Sequence, residues 1–311
     1  MNRRQALQQI WHAIVAVGAS SFLTFDDLLA ADARPDKKIN LVWLHGSSCS
    51  GCSCSFLNIE YVTVLDILTK FVNLTFHPDL SLATGEQAID ILEKTAAGNR
   101  NFVFVMEGAI PVTMPHACLM GDRPITHWVE KLGSKAMASV ALGTCAVFGG
   151  ITRMKEMETG SLPLDAFYAR SKIRQPIINL PNCPIKPEHL VYTLLHFVHK
   201  GRFPKTDAKG RPLKFFERTV HEQCIYYADF QEKRYARHVG DSGCLLKLGC
   251  QGPVTRNDCL INGHNGNTNV CIRAGHPCIG CTSEHFPRQM MFHAAGDRRG
   301  VGPDTPPKRG I

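Results

Sequence analysis

Apolar residues run in short blocks along the first two-thirds of the chain and thin out beyond them. Ile39–His45 (INLVWLH) is an unbroken apolar, partly β-branched stretch closed by Gly46, the pattern of a parallel strand buried on both faces. Residues 101–106 (NFVFVM), 139–142 (SVAL) and 175–180 (QPIINL) repeat that pattern, and residues 73–77 predict a shorter strand. Between them, residues 55–69 place Phe56, Leu57, Ile59, Val62, Val64, Leu65 and Leu68 at helical spacing, and Gly85–Ala97 does so with Ala88, Ile89, Ile91 and Leu92. Residues 189–200 predict a further helix. Strands alternating with helices predict an α/β fold with a doubly wound parallel sheet. Ligands of such sheets sit beyond the carboxyl ends of the strands.

From Gly201 onward, Gly, Pro, Asn and Cys replace the long apolar runs. A segment with so little aliphatic sequence needs metals or disulfides as staples. The chain carries thirteen cysteines in 311 residues, three of them within 49–54 and seven within 224–281. An odd number argues against a pure disulfide framework, and two-residue gaps favour metal. Along the four strong strands, Cys49 and Cys52 follow the first, Glu107 the second, Cys145 the third and Cys183 the fourth. Structural cysteines scattered at random would not track strand ends. The formal charge of +8 is dispersed, with no basic run interleaved with aromatics, so no nucleic-acid partner is expected.

Thiolates select iron–sulfur clusters, zinc or copper(I). Twelve candidate ligands fall into three sets of four: Cys49, Cys52, Cys145 and Cys183; His221, Cys224, Cys244 and Cys250; and Cys259, Cys278 and Cys281 with Cys271 as the open fourth member. Four-iron cubanes commonly take four cysteines, and a histidine ligand tunes potential and solvent access. Glu107 either orients the neighbouring loops or accepts protons beside the first set. Arg3-Arg4 precede an apolar stretch, and Ala31-Asp32-Ala33 has the form of a cleavage site. Residues 1–33 therefore read as a twin-arginine export signal, although Ala6 and Gln8 replace the Phe and Lys such signals prefer; an amphipathic helix is the alternative. No other window is long and apolar enough to span a membrane.

Taken in order, CSGC at 49–52, EGAIP at 107–111, GTCAVFGG at 143–150, LPNCP at 180–184, HEQC at 221–224, CLLKLGCQGPVT at 244–255 and AGHPCIGC at 274–281 make the chain resemble the small subunit of nickel–iron hydrogenases of the periplasmic uptake type. The resemblance spans residues 38–286. It implies a flavodoxin-like domain at 38–195 and a loop-rich iron–sulfur domain at 196–290, followed by a tail at 291–311. It also implies three clusters: a proximal four-iron cluster on Cys49, Cys52, Cys145 and Cys183, a distal one on His221, Cys224, Cys244 and Cys250, and a medial one on Cys259, Cys278 and Cys281. Cys271 stands where many relatives carry Pro and a three-iron medial cluster; as a fourth thiolate it implies a four-iron one. Gly51 and Gly150 occupy the places of two extra cysteines in oxygen-tolerant relatives, which implies an ordinary proximal cubane. Cys54 stands where Glu is common, and Cys118 where a non-ligand cysteine is often found. The implied partners are a large subunit holding nickel and iron, which activates H2, and a cytochrome or other acceptor; the implied compartment is the periplasm. Two rival readings remain: a quinone-reductase-type subunit, which needs no second cysteine-rich segment, and a secreted disulfide or zinc protein.

Overall fold

The computed structural model describes residues 38–60, 62–153, 158–264 and 266–287. The export segment at 1–33 and the tail at 291–311 lie outside the described residues. Five parallel strands form the central sheet: β1 (Ile39–His45), β2 (Val72–Phe76), β3 (Phe102–Glu107), β4 (Ala138–Leu142) and β5 (Ile177–Leu180). Their order is β2-β1-β3-β4-β5, the doubly wound order whose switch point falls between β1 and β3. Every residue of β3 and β4 is buried, as the continuous apolar runs require when helices cover both faces.

Six helices of the sheet region matter here: α1 (Gly51–Leu57), α2 (Gly85–Ala97), α3 (Ile125–Gly133), α4 (Gly143–Phe148), α5 (Leu164–Arg170) and α6 (Pro187–Lys200). Alternation along β1 divides the core. Val42 and Leu44 pack with Phe104, Leu92 and Trp128 under α2 and α3. Leu41 and Trp43 face the other side, where Phe56 of α1 and Leu190 and Leu194 of α6 meet them.

Residues 55–69 do not form one helix. α1 ends at Leu57, and helical turns resume at Val64–Asp66 and Ile67–Phe71. The break has a local cause: Thr63 caps the second segment, its Oγ1 accepting the Asp66 N–H at 3.0 Å. α6 stops at Gly201, whose backbone is left-handed (φ 66).

Beyond α6, the described chain holds helices no longer than Tyr227–Gln231 and a small core of Val220, Leu260, Ile272 and Cys278. That core is too small to order the segment without further ties. Among the described residues no helix is long and apolar enough to cross a membrane.

Candidate metal centres

The first four thiols arrive from three loops at the carboxyl edge of the sheet. After β1 the chain turns through Ser50, left-handed at φ 56, straight into α1, which puts Cys49 on the rim and Cys52 inside. Cys145 lies in the first turn of α4 and Cys183 in the loop after β5. Burial pushes the Cys52 thiol up, and the charges of Glu107, Cys183 and Cys145 push it further. Burial likewise raises Cys145 to about 11, with repulsion from Cys183 and Cys49. All four sulfurs therefore share one electrostatic neighbourhood. Two left-handed glycines keep it open: a methyl group on Gly143 would lie 2.5 Å from Cys52 Sγ, and one on Gly150 would lie 2.4 Å from Cys145 Sγ.

Glu107 is the last residue of β3 and sits beside this set, 1% exposed. Its Oε1 accepts from Ser48 Oγ at 2.9 Å and from the Cys52 N–H at 3.2 Å. Its Oε2 accepts from Trp43 Nε1 at 3.1 Å and Ser53 Oγ at 2.6 Å, and lies 3.1 Å from His45 Nε2. Burial raises the carboxyl, but these bonds outweigh it and hold it below its usual range. Glu107 thus ties β1, the 46–50 loop and α1 together. His77 extends the network: its Nδ1 accepts the Asp79 N–H at 3.0 Å, so its Nε2 carries the proton that faces Ser53 Oγ at 3.1 Å.

Cys259, Cys271, Cys278 and Cys281 line a cavity of about 430 Å³ with apolar walls including Val220, Leu260 and Ile272. Burial pushes Cys278 up to about 12 and Cys259 to about 11. Burial also raises Cys281, and repulsion from Cys278, Cys259 and Cys271 adds to it. Cys271 therefore joins the other three geometrically. The wall behind Cys259 is an enclosed ionic group: Asp258 Oδ1 accepts from Lys186 Nζ at 2.8 Å and His189 Nε2 at 2.9 Å, and its Oδ2 accepts from Asn262 Nδ2 at 2.6 Å. Burial opposes the Asp258 charge, yet His189 and Lys186 hold its carboxyl well below the usual range.

His221, Cys224, Cys244 and Cys250 surround a smaller gap. The Tyr226 N–H donates to Cys224 Sγ and the Gly252 N–H to Cys250 Sγ, both at 3.4 Å. The His221 ring packs edge-on against Tyr227 and Phe230, with centroids 5.1 and 4.5 Å away. Cys54 is exposed on α1, and Cys118 is half-buried with its S–H directed at the His45 carbonyl, 3.8 Å away; neither lines these cavities.

The donors fit iron–sulfur clusters better than the alternatives. No cysteine is in a disulfide among the described residues. Buried thiols that repel one another as thiolates need a cationic group between them. A single zinc ion, about 2.3 Å from each sulfur, does not fill a cavity of about 430 Å³.

Two family models match the chain: the 20 kDa subunit of NADH ubiquinone oxidoreductase over residues 49–197, and the C-terminal part of the NiFe/NiFeSe hydrogenase small subunit over residues 216–294. The chain is 32% identical to the periplasmic [NiFeSe] hydrogenase small subunit of Desulfomicrobium baculatum, over 92% of this chain and 96% of that one. The chain belongs to the nickel–iron hydrogenase small-subunit family. This hydrogenase small subunit is also 32% identical to the F420 non-reducing hydrogenase II small subunit of Methanosarcina mazei, over 97% of its own length and 86% of the relative's. Its fold superposes on the recombinant [NiFeSe] hydrogenase of Desulfovibrio vulgaris Hildenborough with a TM-score of 0.76 at 32% identity, covering 83% of this chain and 98% of that one.

Sequence reasoning brings the cysteine sets within reach but passes over the small subunit's supporting residues. His45, Ser53 and His77 around Glu107, the Lys186–His189–Asp258 group and Asn182 carry no spacing signal, because their partners lie far away in the chain.

Proposed function

We propose that this chain relays electrons, through three iron–sulfur clusters, between the H2-activating nickel–iron site of a partner large subunit and an external acceptor. The proximal cluster is held by Cys49, Cys52, Cys145 and Cys183, the medial by Cys259, Cys271, Cys278 and Cys281, and the distal by His221, Cys224, Cys244 and Cys250. The observation that carries this reading is that hydrogen bonds link neighbouring sets. Asn182 Oδ1 accepts the Cys183 N–H at 3.2 Å and the Cys281 S–H at 2.9 Å, joining the first set to the second. The Cys278 N–H donates to Cys250 Sγ at 3.4 Å, joining the second to the third.

When bound, the clusters supply one-electron carriers in series. The protein's own residues set the conditions for them. Val220, Leu260 and Ile272 give the middle site an apolar wall. Glu107 fixes the Cys49–Cys52 loop, and backbone N–H groups aimed at sulfur stabilise the thiolates. Cys49 and Cys183 leave the first set open on one side, which supports a large subunit that covers it. Tyr227, 39% exposed beside His221, supports an exit for electrons towards a cytochrome or similar acceptor at the third set.

Residues 38–195 and 196–290 then form the flavodoxin-like and cluster domains, a division supported by the two separate family matches. Residues 1–33 serve as a twin-arginine export signal to the periplasm, a reading supported by the periplasmic relative. The match to the ubiquinone oxidoreductase subunit ends at residue 197 and leaves eight of the twelve ligands unexplained, which weighs against a quinone-reductase role.

Iron and acid-labile sulfide, measured on the chain co-expressed with its large subunit, test the proposal. About twelve irons with a bleachable brown spectrum are expected, and about eleven would restore a three-iron medial site. A colourless protein holding only zinc would overturn it.

A further inference from the structure

Asn182 lies where the first and second sets meet. It is 2% exposed and lines the medial cavity. Its backbone carbonyl accepts the Thr144 N–H at 2.9 Å, next to Cys145, and its own chain neighbour is Cys183. Its side chain reaches the other set: Asn182 Oδ1 accepts from Cys281 Sγ at 2.9 Å. Asn182 Nδ2 is enclosed and has no hydrogen-bond partner.

That arrangement suits a protonated Cys281 and no other state. A metal-bound thiolate has no proton to give, and two acceptors 2.9 Å apart repel. A half turn of the carboxamide exchanges its two ends within nearly the same space. It brings Nδ2–H onto the Cys281 sulfur and ends the isolation of that nitrogen. The turn gives up the 3.2 Å bond from the Cys183 N–H to Oδ1, a loss offset by a charge-assisted bond to the thiolate in place of the repulsion between two acceptors. An oxygen with no partner in the old Nδ2 position costs less than an orphaned N–H, since carbonyl oxygens are the more readily under-satisfied group.

We infer that Asn182 is a positioning residue whose side-chain N–H donates to the Cys281 thiolate, favouring the reduced form of the medial cluster. This rests on the ligand assignment proposed above. The physical reason is that a reduced cluster places more negative charge on its sulfurs, so an N–H donor stabilises it more than the oxidised form. A buried donor beside the apolar walls of the cavity acts with less screening than an exposed one.

The test is a potentiometric EPR titration of the whole complex, with Asn182→Ala beside the unaltered chain. At a fixed potential near the medial midpoint, the variant should show about a tenfold lower ratio of reduced to oxidised medial cluster, about 59 mV for one electron. The proximal and distal midpoints should move much less. An unmoved medial midpoint in a variant of full iron content would overturn the inference. A deficit of iron in the unaltered complex would instead bring down the ligand assignment. A second measurement needs no variant: asparagine side-chain amides are labelled with ¹⁵N, and the reduced medial cluster is read by pulsed EPR. Absence of a ¹⁵N coupling overturns the donor even if Asn182→Ala fails to fold; because Asn257 and Asn269 line the same cavity, a coupling supports the donor when it is lost in Asn182→Gln, which keeps an amide without the label, and overturns it when it persists there.

Discussion

Replacing Glu107 by Gln removes one charge and little volume, and the network around it sets the cost. The amide oxygen can still accept from Ser48 Oγ and the Cys52 N–H. The NH2 end then faces donors. Trp43 Nε1–H, on a side chain 1% exposed, has no other acceptor to turn to and is orphaned, at about 1–3 kcal/mol. The bond from Ser53 Oγ to a charged acceptor is also lost, at about 1.5–3 kcal/mol. Ser53 can still accept the new N–H on its second lone pair, which returns about 1 kcal/mol. The total is about 1.5–5 kcal/mol. At about 2 °C per kcal/mol for a chain of this size, the temperature at which the cluster absorbance bleaches should fall by about 3–10 °C. Because the damage falls on the Cys49–Cys52 loop, about four of about twelve irons should leave first. A bleaching temperature within about 2 °C of the unaltered complex, with all iron leaving together, would refute the idea that this carboxylate holds the loop.

Three further outcomes are expected. Cys271→Ala should lower the iron content from about twelve to about eleven and give the oxidised protein a three-iron EPR signal; unchanged iron without that signal would remove Cys271 from the ligands. Lys186→Met leaves Asp258 enclosed beside a neutral His189, which should cost about 3–5 kcal/mol, and adding Asp258→Asn should recover most of it. Thermal bleaching would read both changes, and a single variant as stable as the unaltered chain would contradict the argument. Burial, with the charge of His45 adding to it, lowers the His77 imidazole from 6.5 to about 4. The folded state thus resists protonation there, and its contribution, complete above 6.5, declines as the pH falls towards about 4. Stability in that window should fall less steeply in His77→Gln; parallel slopes would exclude His77 as the cause.

The sheet is legible in the sequence because both of its faces are buried, which forces apolar runs with sharp ends. Residues 39–45 are located to the residue, and the other strands to within one or two. The candidate cysteine sets are legible because short gaps and strand ends are local signals, and the structure brings the members of each set to one cavity or sheet edge. Several helical features escape the pattern, the short α4 and α5 among them, and two others do so for different reasons. Residues 55–69 keep a helical apolar period across a real break, and only the Thr63-x-x-Asp66 cap reveals it. α3 is absent from the predicted elements although Ile125, Trp128, Val129 and Leu132 stand at clean helical spacing, so its signal is fully present in the sequence. The supporting residues are different in kind. Lys186 and Asp258 stand 72 positions apart, and Asn182 and Cys281 stand 99 apart; no local pattern announces a pairing that only the folded chain brings about.

The order of the ligands along the chain has a consequence for how the protein is made. The first set is complete once residue 183 has emerged, and the third once residue 250 has. The middle set waits for Cys281, whose carbonyl then accepts from Thr144 Oγ and fastens the last loop onto α4. On the proposed ligand assignment, the central station of the relay is therefore the last to be finished, because its fourth thiol lies in the closing loop. A chain that stalls shortly before residue 278 would carry both terminal sites and no connection between them. Under that assignment, the final CxxC is what separates a finished conductor from two isolated halves.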